Sequence, residues 1–361
     1  MAEWAGVVAT TTSHYFKGAI EMIMRNRRLL AILQNRGRVT LNQDGKDFTW
    51  VVRYKQVPLV GYSDMQTSSF QRENRFKNPL LDWRGYRATD IMSGKEREMN
   101  KGAPALVKRY ATVADTMRQD VEAQIGQDLY IDGNASGNQD RWHGLESFFG
   151  NGGAYAGGFI GSPSDTYAGL STVLGNYGGA WSGTTWPAGT GDSEYDFWSP
   201  LIVDYTDTAW NAGTKTWINT CEEAVGFGLL YGQKNSSLKE DQIDLVMLDA
   251  SLYRQFKERM RLRENIMVTP TDGSSGLYKL GFTNVIVWDG VDISWEYGVP
   301  ANVGYGLAMN KVELMCLLSE LFQSKGPEYS IDDDCYRFAL QTFSNLKFEG
   351  VRQFVKWMSI T

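Results

Sequence analysis

The chain has 361 residues and a formal net charge of −6, with 42% hydrophobic, 22% charged and 13% aromatic residues and 38 glycines. This composition excludes a disordered chain and fits an ordered protein of two or so domains, rich in strands, turns and packed rings. The acidic balance argues against a protein whose main task is gripping nucleic acid, an affinity drawn from Lys and Arg, yet it suits a container whose inner face must not stick to a polyanion.

From Lys17 to Asn35 the apolar positions Ile20, Ile23, Met24, Leu29, Leu30 and Ile32 recur at roughly helical spacing around Arg25, Arg27 and Arg28, a basic amphipathic arm. After Gly37 the period changes to two, through Val39 and Leu41 and then Phe48, Trp50, Val52 and Tyr54. A polar stretch, Ser63 to Asn78, carries Arg72, Arg75 and Lys77, and extended residues resume from Leu80 to Met92. Two extended limbs around a charged excursion, with too few apolar residues to bury alone, predict a long hairpin that projects from the body and needs a partner surface.

Pro104 opens a helical stripe of Leu106, Val107, Tyr110, Val113, Ala114, Met117, Val121 and Ile125, predicting a helix over about 104–131. At 1.5 Å per residue it is roughly 40 Å long. Between Gly133 and Asp196, crowded Gly, Ser, Asn, Tyr and Trp predict loops and short strands. Helical patterns at Thr216–Leu230 and Ser251–Arg263 flank a buried strand at Ile243–Leu248. Asp289-Gly290 supplies a two-residue turn between strands Val285–Trp288 and Val291–Trp295. Alternation over Tyr336–Phe343 and Phe348–Trp357, broken by Ser344–Lys347, predicts an antiparallel closing pair.

Little of this carries chemistry. His14 and His143 are the only histidines, far apart and unaccompanied, so Ser-His-Asp and Cys-His catalysis lack material. Cys221, Cys316 and Cys335 are odd in number and widely spaced, giving neither a disulfide framework nor a metal clip, and they fit a reducing cytoplasm. Neither GxxxxGK nor GxGxxG occurs in a phosphate-binding context. Asp132, Asn134, Ser136, Asn138 and Asp140 alternate like a calcium loop, but His143 stands where a bidentate Glu is needed, so a polar turn is expected. The paired and tripled carboxylates Glu222-Glu223 and Asp332-Asp333-Asp334 read as solvated faces, and the aromatic residues of Tyr177–Trp198 as core packing before a sugar platform. No cofactor, metal or catalytic residue is expected. With no signal-peptide pattern at Met1–Lys17 and no apolar run of transmembrane length, the chain is expected to be soluble, without a membrane.

The order of parts and several wordings carry a resemblance: His143-Gly144-Leu145-Glu146, Tyr177-Gly178-Gly179, Phe197-Trp198-Ser199-Pro200, Leu248-Asp249-Ala250-Ser251-Leu252-Tyr253, Leu280-Gly281-Phe282, Val287-Trp288-Asp289-Gly290-Val291, Val299-Pro300 and Gly304-Tyr305-Gly306-Leu307. Together they resemble the major capsid proteins of tailed bacteriophages with the Hong Kong 97 fold, over nearly the whole chain. The resemblance implies an α+β fold with an N-terminal arm (1–37), an extended β-hairpin loop (38–102), a peripheral domain (103–200 and 299–361) built on the long spine helix, and an axial domain (201–298). It implies a structural, non-enzymatic subunit that assembles into hexamers and pentamers of an icosahedral head around double-stranded DNA. Portal and decoration proteins are further implied partners, and because the arm begins almost at Met1, a separate scaffolding protein is expected. Arg25, Arg27, Arg28, Arg53, Lys55, Arg72, Arg75 and Arg84 are the expected inter-subunit contacts, setting register and partner choice more than affinity. The Lys-Asn cross-link of some relatives is not carried over, since the sequence does not place its lysine, asparagine and carboxylate. The chain is placed in the virion after assembly in the host cytoplasm. The alternatives are an encapsulin-type nanocompartment shell and, more remotely, a carbohydrate-binding protein.

Overall fold

The computed structural model describes residues 27–57, 59–65, 67, 70, 72–99, 103–150, 153, 159–179, 194–232, 242–263 and 276–360. It opens on α1 (Arg28–Asn35), whose run Leu29–Leu33 is buried. The earlier part of the expected arm helix, with Arg25, lies outside the described residues. Next come β1 (Val39–Thr40), β2 (Asp47–Thr49), β3 (Val52–Arg53), β4 (Phe76–Lys77), β5 (Leu80–Asp82) and β6 (Arg84–Ser93). Pairing of β2 with β5 (Phe48 opposite Leu81) and of β3 with β4 (Val52 opposite Lys77) forms the expected hairpin.

A short α2 (Gly94–Met99) precedes the longest helix, α3 (Ala103–Asp128). Within it Val113, Met117 and Ile125 are buried on one stripe, the four-residue spacing that puts side chains on one helix face. The helix ends three residues before the expected 131: Tyr130 N–H turns to the Gln127 carbonyl at 3.0 Å, a tightened exit that lets Leu145 N–H reach the Leu129 carbonyl at 2.9 Å. Short strands β7 (Ile160–Gly161), β8 (Thr166–Tyr167) and β9 (Leu170–Ser171) follow, then β10 (Leu201–Asp204), α4 (Trp217–Gly232), β11 (Leu245–Leu248), α5 (Ala250–Arg263) and α6 (Gly276–Lys279). The rest is β12 (Ile286–Trp288), β13 (Val291–Trp295), β14 (Gly304–Leu307), β15 (Val312–Cys316), β16 (Gln323–Ser330), β17 (Cys335–Phe348) and β18 (Val355–Met358). Asp289 and Gly290 both adopt positive φ, 52° and 79°, as a two-residue turn between twisted strands requires.

The mixture is α+β, as expected, in two main sheets. In the first, β17 is flanked by β6 on one side and by β15 and then β16 on the other, with β1 added parallel to β15. The second orders seven strands β12-β13-β11-β14-β18-β10-β7. Its strands come from both sides of the expected 201–298 limits, since β7, β14 and β18 join it.

The closing pair is a correction. Ser344–Lys347 is not a turn but the interior of the 14-residue β17, and the following β18 crosses to the other sheet, parallel to β10. Ser344 and Asn345 looked like turn residues because they are polar; both are fully buried, Ser344 Oγ accepting from Trp142 Nε1 at 3.1 Å and Asn345 serving the His143 loop. The true hairpin partner, β16, is masked in the sequence by Gly326-Pro327, which falls where the register shifts between Lys325 and Glu328. Asp332–Asp334 lie in its tight turn, Asp334 at φ 44°.

The central strands of the second sheet are buried on both faces. Leu201, Val203, Val246, Leu248, Ile293, Val355 and Trp357 face α4 and α5, whereas Ile202, Leu245, Met247, Tyr305 and Leu307 join a second core with Tyr130, Phe148 and Phe149. Trp357 fixes this layer: its Nε1–H donates to the Ala224 carbonyl at 2.8 Å, and Gly228, Gly304 and Gly306 lie so close that a Cβ at Gly228 would stand 2.4 Å from the indole.

Candidate assembly surface

Phe48, Leu81, Trp50 and Trp83 plant the hairpin's root in the core, and Trp50 Nε1–H donates to the Glu349 carbonyl at 3.2 Å. Further out, Tyr54 packs on Phe197 at 5.6 Å between centroids, and the Lys77 ammonium sits over the Tyr54 and Tyr177 rings at 5.2 and 5.5 Å. Phe197 and Trp198 are buried beneath this root, so the aromatic middle supports the hairpin and offers no stacking platform at those positions.

Beyond Lys55 the character reverses. Leu59 is 100% exposed and Met65 and Phe70 97%, with Val57, Val60 and Tyr62 also largely in water. Scattered exposed apolar residues are ordinary; this many on one projection mark a surface made to be covered. Sequence reasoning missed these residues, reading the tip as polar because they follow no period. Their one signal was apolar residues recurring in a segment too polar to be core.

The expected contact residues divide into two groups. Arg53, Lys55 and Arg72 are on the hairpin: Arg53 Nε–H donates to the Lys55 carbonyl at 3.1 Å, Lys55 pairs with Glu73 at 3.4 Å and Glu194 at 3.8 Å, and Arg72 is exposed. Arg75 is half-buried beside them. Arg27, Arg28 and Arg84 turn inward. Arg84 pairs with Asp82 at 3.5 Å and faces His143.

Arg27 and Arg28 instead anchor the arm where α3 meets the end of β13. The Arg27 guanidinium donates to the Glu122 carbonyl at 2.8 Å and the Tyr297 carbonyl at 3.0 Å. Gly126 makes room for it, since a Cβ there would stand 2.2 Å from the guanidinium carbon. Arg28 donates to Ser294 Oγ, to the Trp295 carbonyl and, at 3.1 Å, to the Thr283 carbonyl, with its guanidinium over Phe282 and Trp295. Glu296 receives Arg28 N–H at 3.0 Å and Tyr130 Oη–H at 2.7 Å, and burial holds its carboxyl above the usual range against these donors.

Two further polar knots fix the surroundings. Buried Asp128 accepts from Tyr86 Oη–H, from Arg141 and, at 2.8 Å, from Gln124. Glu146 accepts from Tyr305 Oη–H and, at 2.7 Å, from the Lys356 ammonium, tying the loop after α3 to the seven-stranded sheet.

His143 is a structural residue. Asn345 Oδ1 accepts from His143 N–H and Leu346 N–H, both at 2.9 Å, which fixes the amide and aims its Nδ2–H groups at the Asp82 carbonyl and at His143 Nδ1. Burial, and then the neighbouring Arg84, push the imidazole down to about 4. The calcium-like segment is a turn: Asp132 Oδ1 accepts from Asn134 N–H at 2.8 Å, and Asn134 Nδ2–H donates to the Ser147 and Thr166 carbonyls. Among the described residues no three His, Cys, Asp or Glu side chains converge on a metal position, and no helix is long and apolar enough to cross a membrane.

No protein-family model and no curated protein matches the chain. Solved structures do match its fold. A capsid subunit from the asymmetric unit of cyanophage A-1(L) is similar at a TM-score of 0.58 and 15% identity, covering 90% of each chain. The capsid subunit of a native GTA particle aligns at 0.52 and 10% identity, over 90% of this chain and 89% of its own. The empty GTA particle gives 0.50 at 10% identity, over 90% and 96%. The fold is thus that of Hong Kong 97-type capsid subunits, along nine-tenths of the chain.

Proposed function

We propose that the chain is a major capsid protein, a structural coat subunit that assembles into the hexamers and pentamers of an icosahedral phage head around double-stranded DNA. The observation that carries this reading is the fold match covering 90% of this chain and 90% of the cyanophage capsid subunit. The exposed apolar hairpin supports it independently, because a projection bearing Leu59, Met65 and Phe70 in water gains free energy only when a neighbour covers it. On this reading the hairpin is the extended loop, α3 the spine of the peripheral domain, and the sheet with α4 and α5 the axial domain.

Contacts then divide by chemistry. The apolar tip supplies burial, Arg53, Lys55, Arg72 and Arg75 set register on the neighbour, and Arg25 is a further contact. Scaffolding, portal and decoration proteins are the further partners, assembly takes place in the host cytoplasm, and the mature location is the virion. The test is negative-stain microscopy and size-exclusion chromatography of the full chain, alone and with the products of neighbouring genes. Closed shells, tubes or capsomers are expected; a strictly monomeric protein under every condition refutes the assignment.

A further inference from the structure

Helix α5 concentrates positive charge in an acidic chain. Its 14 residues include Arg254, Lys257, Arg259, Arg261 and Arg263 against Glu258 alone, a net +4, whereas the whole chain carries −6. Leu252, Tyr253 and Phe256 are buried against the seven-stranded sheet, which fixes the helix's rotation. Arg259 is drawn sideways to Glu222 of α4 at 3.4 Å. Arg254, Lys257 and Arg261 remain, at i, i+3 and i+7, on one outward stripe with no ion pair among the described residues.

The same stripe lacks what a protein interface requires. Among the described side chains, Ala250, Ser251, Arg254, Glu258 and Arg261 are the exposed ones there, with no large apolar side chain among them. Cores of protein–protein contacts set Arg among aromatic and Met side chains and are depleted of the Lys, Glu, Ser and Ala found here, whereas phosphate contacts ask only for reachable cations. Spacing agrees: Arg254 and Arg261 are about 10.5 Å apart along the axis at 1.5 Å per residue, which matches about three steps of a nucleic-acid strand at 3.4 Å each.

We infer that the outward face of α5 is a sequence-independent contact for the phosphate backbone of double-stranded DNA, made by Arg254, Lys257 and Arg261. This deepens the capsid reading by naming the face of the subunit that meets the packaged polymer. Three cations with Glu258 beside them hold the duplex weakly. A shell protein needs that weakness if its contents are to move during packaging and ejection.

The full-length, unassembled subunit is titrated with two 30-base-pair duplexes of unrelated sequence, by fluorescence anisotropy across a salt series. The variant combining Arg254→Gln, Lys257→Gln and Arg261→Gln is compared with the wild type, with Arg254→Lys plus Arg261→Lys as the charge-preserving control and Lys46→Gln plus Lys95→Gln, both exposed, as the control for cations elsewhere. Each lost phosphate contact removes about 0.9 from the slope of log K against log salt, so the triple variant's slope shallows by about 2.7 for both duplexes while the two controls keep theirs. An unchanged slope in the triple variant, or no binding by the wild type at low salt, overturns the inference. So does a triple variant that binds DNA normally but fails to assemble, which would make α5 a contact for an acidic protein surface. Assembly by microscopy is read separately, so failure of the DNA contact leaves the capsid reading standing, and failure to assemble at all is visible as such.

Discussion

Acid should loosen the root of the hairpin through one imidazole. His143 lies between the β5–β6 corner, where Asn345 reaches the Asp82 carbonyl and Arg84 packs, and the loop after α3. Its Nδ1 faces an amide N–H whose orientation two backbone donors fix, so a proton on Nδ1 would set donor against donor beside a guanidinium. The folded value of about 4 stands against 6.5 for the free group. Between these values the unfolded chain binds more protons than the folded one, so the stabilisation is complete above pH 6.5 and is lost as pH falls toward 4. At pH 4.5 the loss is about 2.5 kcal/mol. Denaturant unfolding of the unassembled wild type and His143→Gln at pH 7 and 4.5 isolates it from the titrating carboxylates common to both. The stability gap between them should narrow by about 2.5 kcal/mol in acid. With only two histidines in the chain, the ring titration can also be followed by NMR. A constant gap, or a His143 midpoint near 6.5, refutes the argument.

Gly298 has φ +116° and its Cβ would stand 2.1 Å from the Gly126 carbonyl oxygen, so Gly298→Ala should cost about 3 kcal/mol or more in chemical denaturation. Gly137→Ala, at φ +92° but in open space, should cost only about 1 kcal/mol. Trp357→Ala empties the site between Gly228, Gly304 and Gly306 and removes the indole hydrogen bond to the Ala224 carbonyl, an expected loss of about 3–5 kcal/mol by the same measurement. Replacing Leu59, Met65 and Phe70 together with Ser should leave the subunit's melting curve nearly unchanged, each change being within about 0.5 kcal/mol at such exposed positions, while shells or capsomers disappear from microscopy.

Local chemistry made much of the molecule legible in the sequence. The stripe of Val113, Met117 and Ile125 marked α3, Asp289-Gly290 marked the β12–β13 turn, and alternation through Phe48 and Leu81 marked the hairpin limbs, because each signal lies within a few residues and depends on backbone geometry alone. The order of these parts sufficed for the capsid resemblance. Folding was needed where meaning depends on a distant partner. Arg27, Arg28 and Arg84 read as surface charges like Arg53 and Arg72, yet carbonyls at Glu122, Tyr297 and Thr283 and the ring of His143 draw them inward. Ser344 and Asn345 read as a turn, yet Trp142 and His143, some 200 residues away in sequence, make them buried strand. Leu59, Met65 and Phe70 drew no notice in the sequence, and only the fold shows that they stand together in water. Most elements and the family likeness were legible without the fold, since periodicity and turn residues are local. Which charges and apolar groups are spent inside the molecule and which stay in water could be read only from the fold, because burial is a property of the whole packed chain.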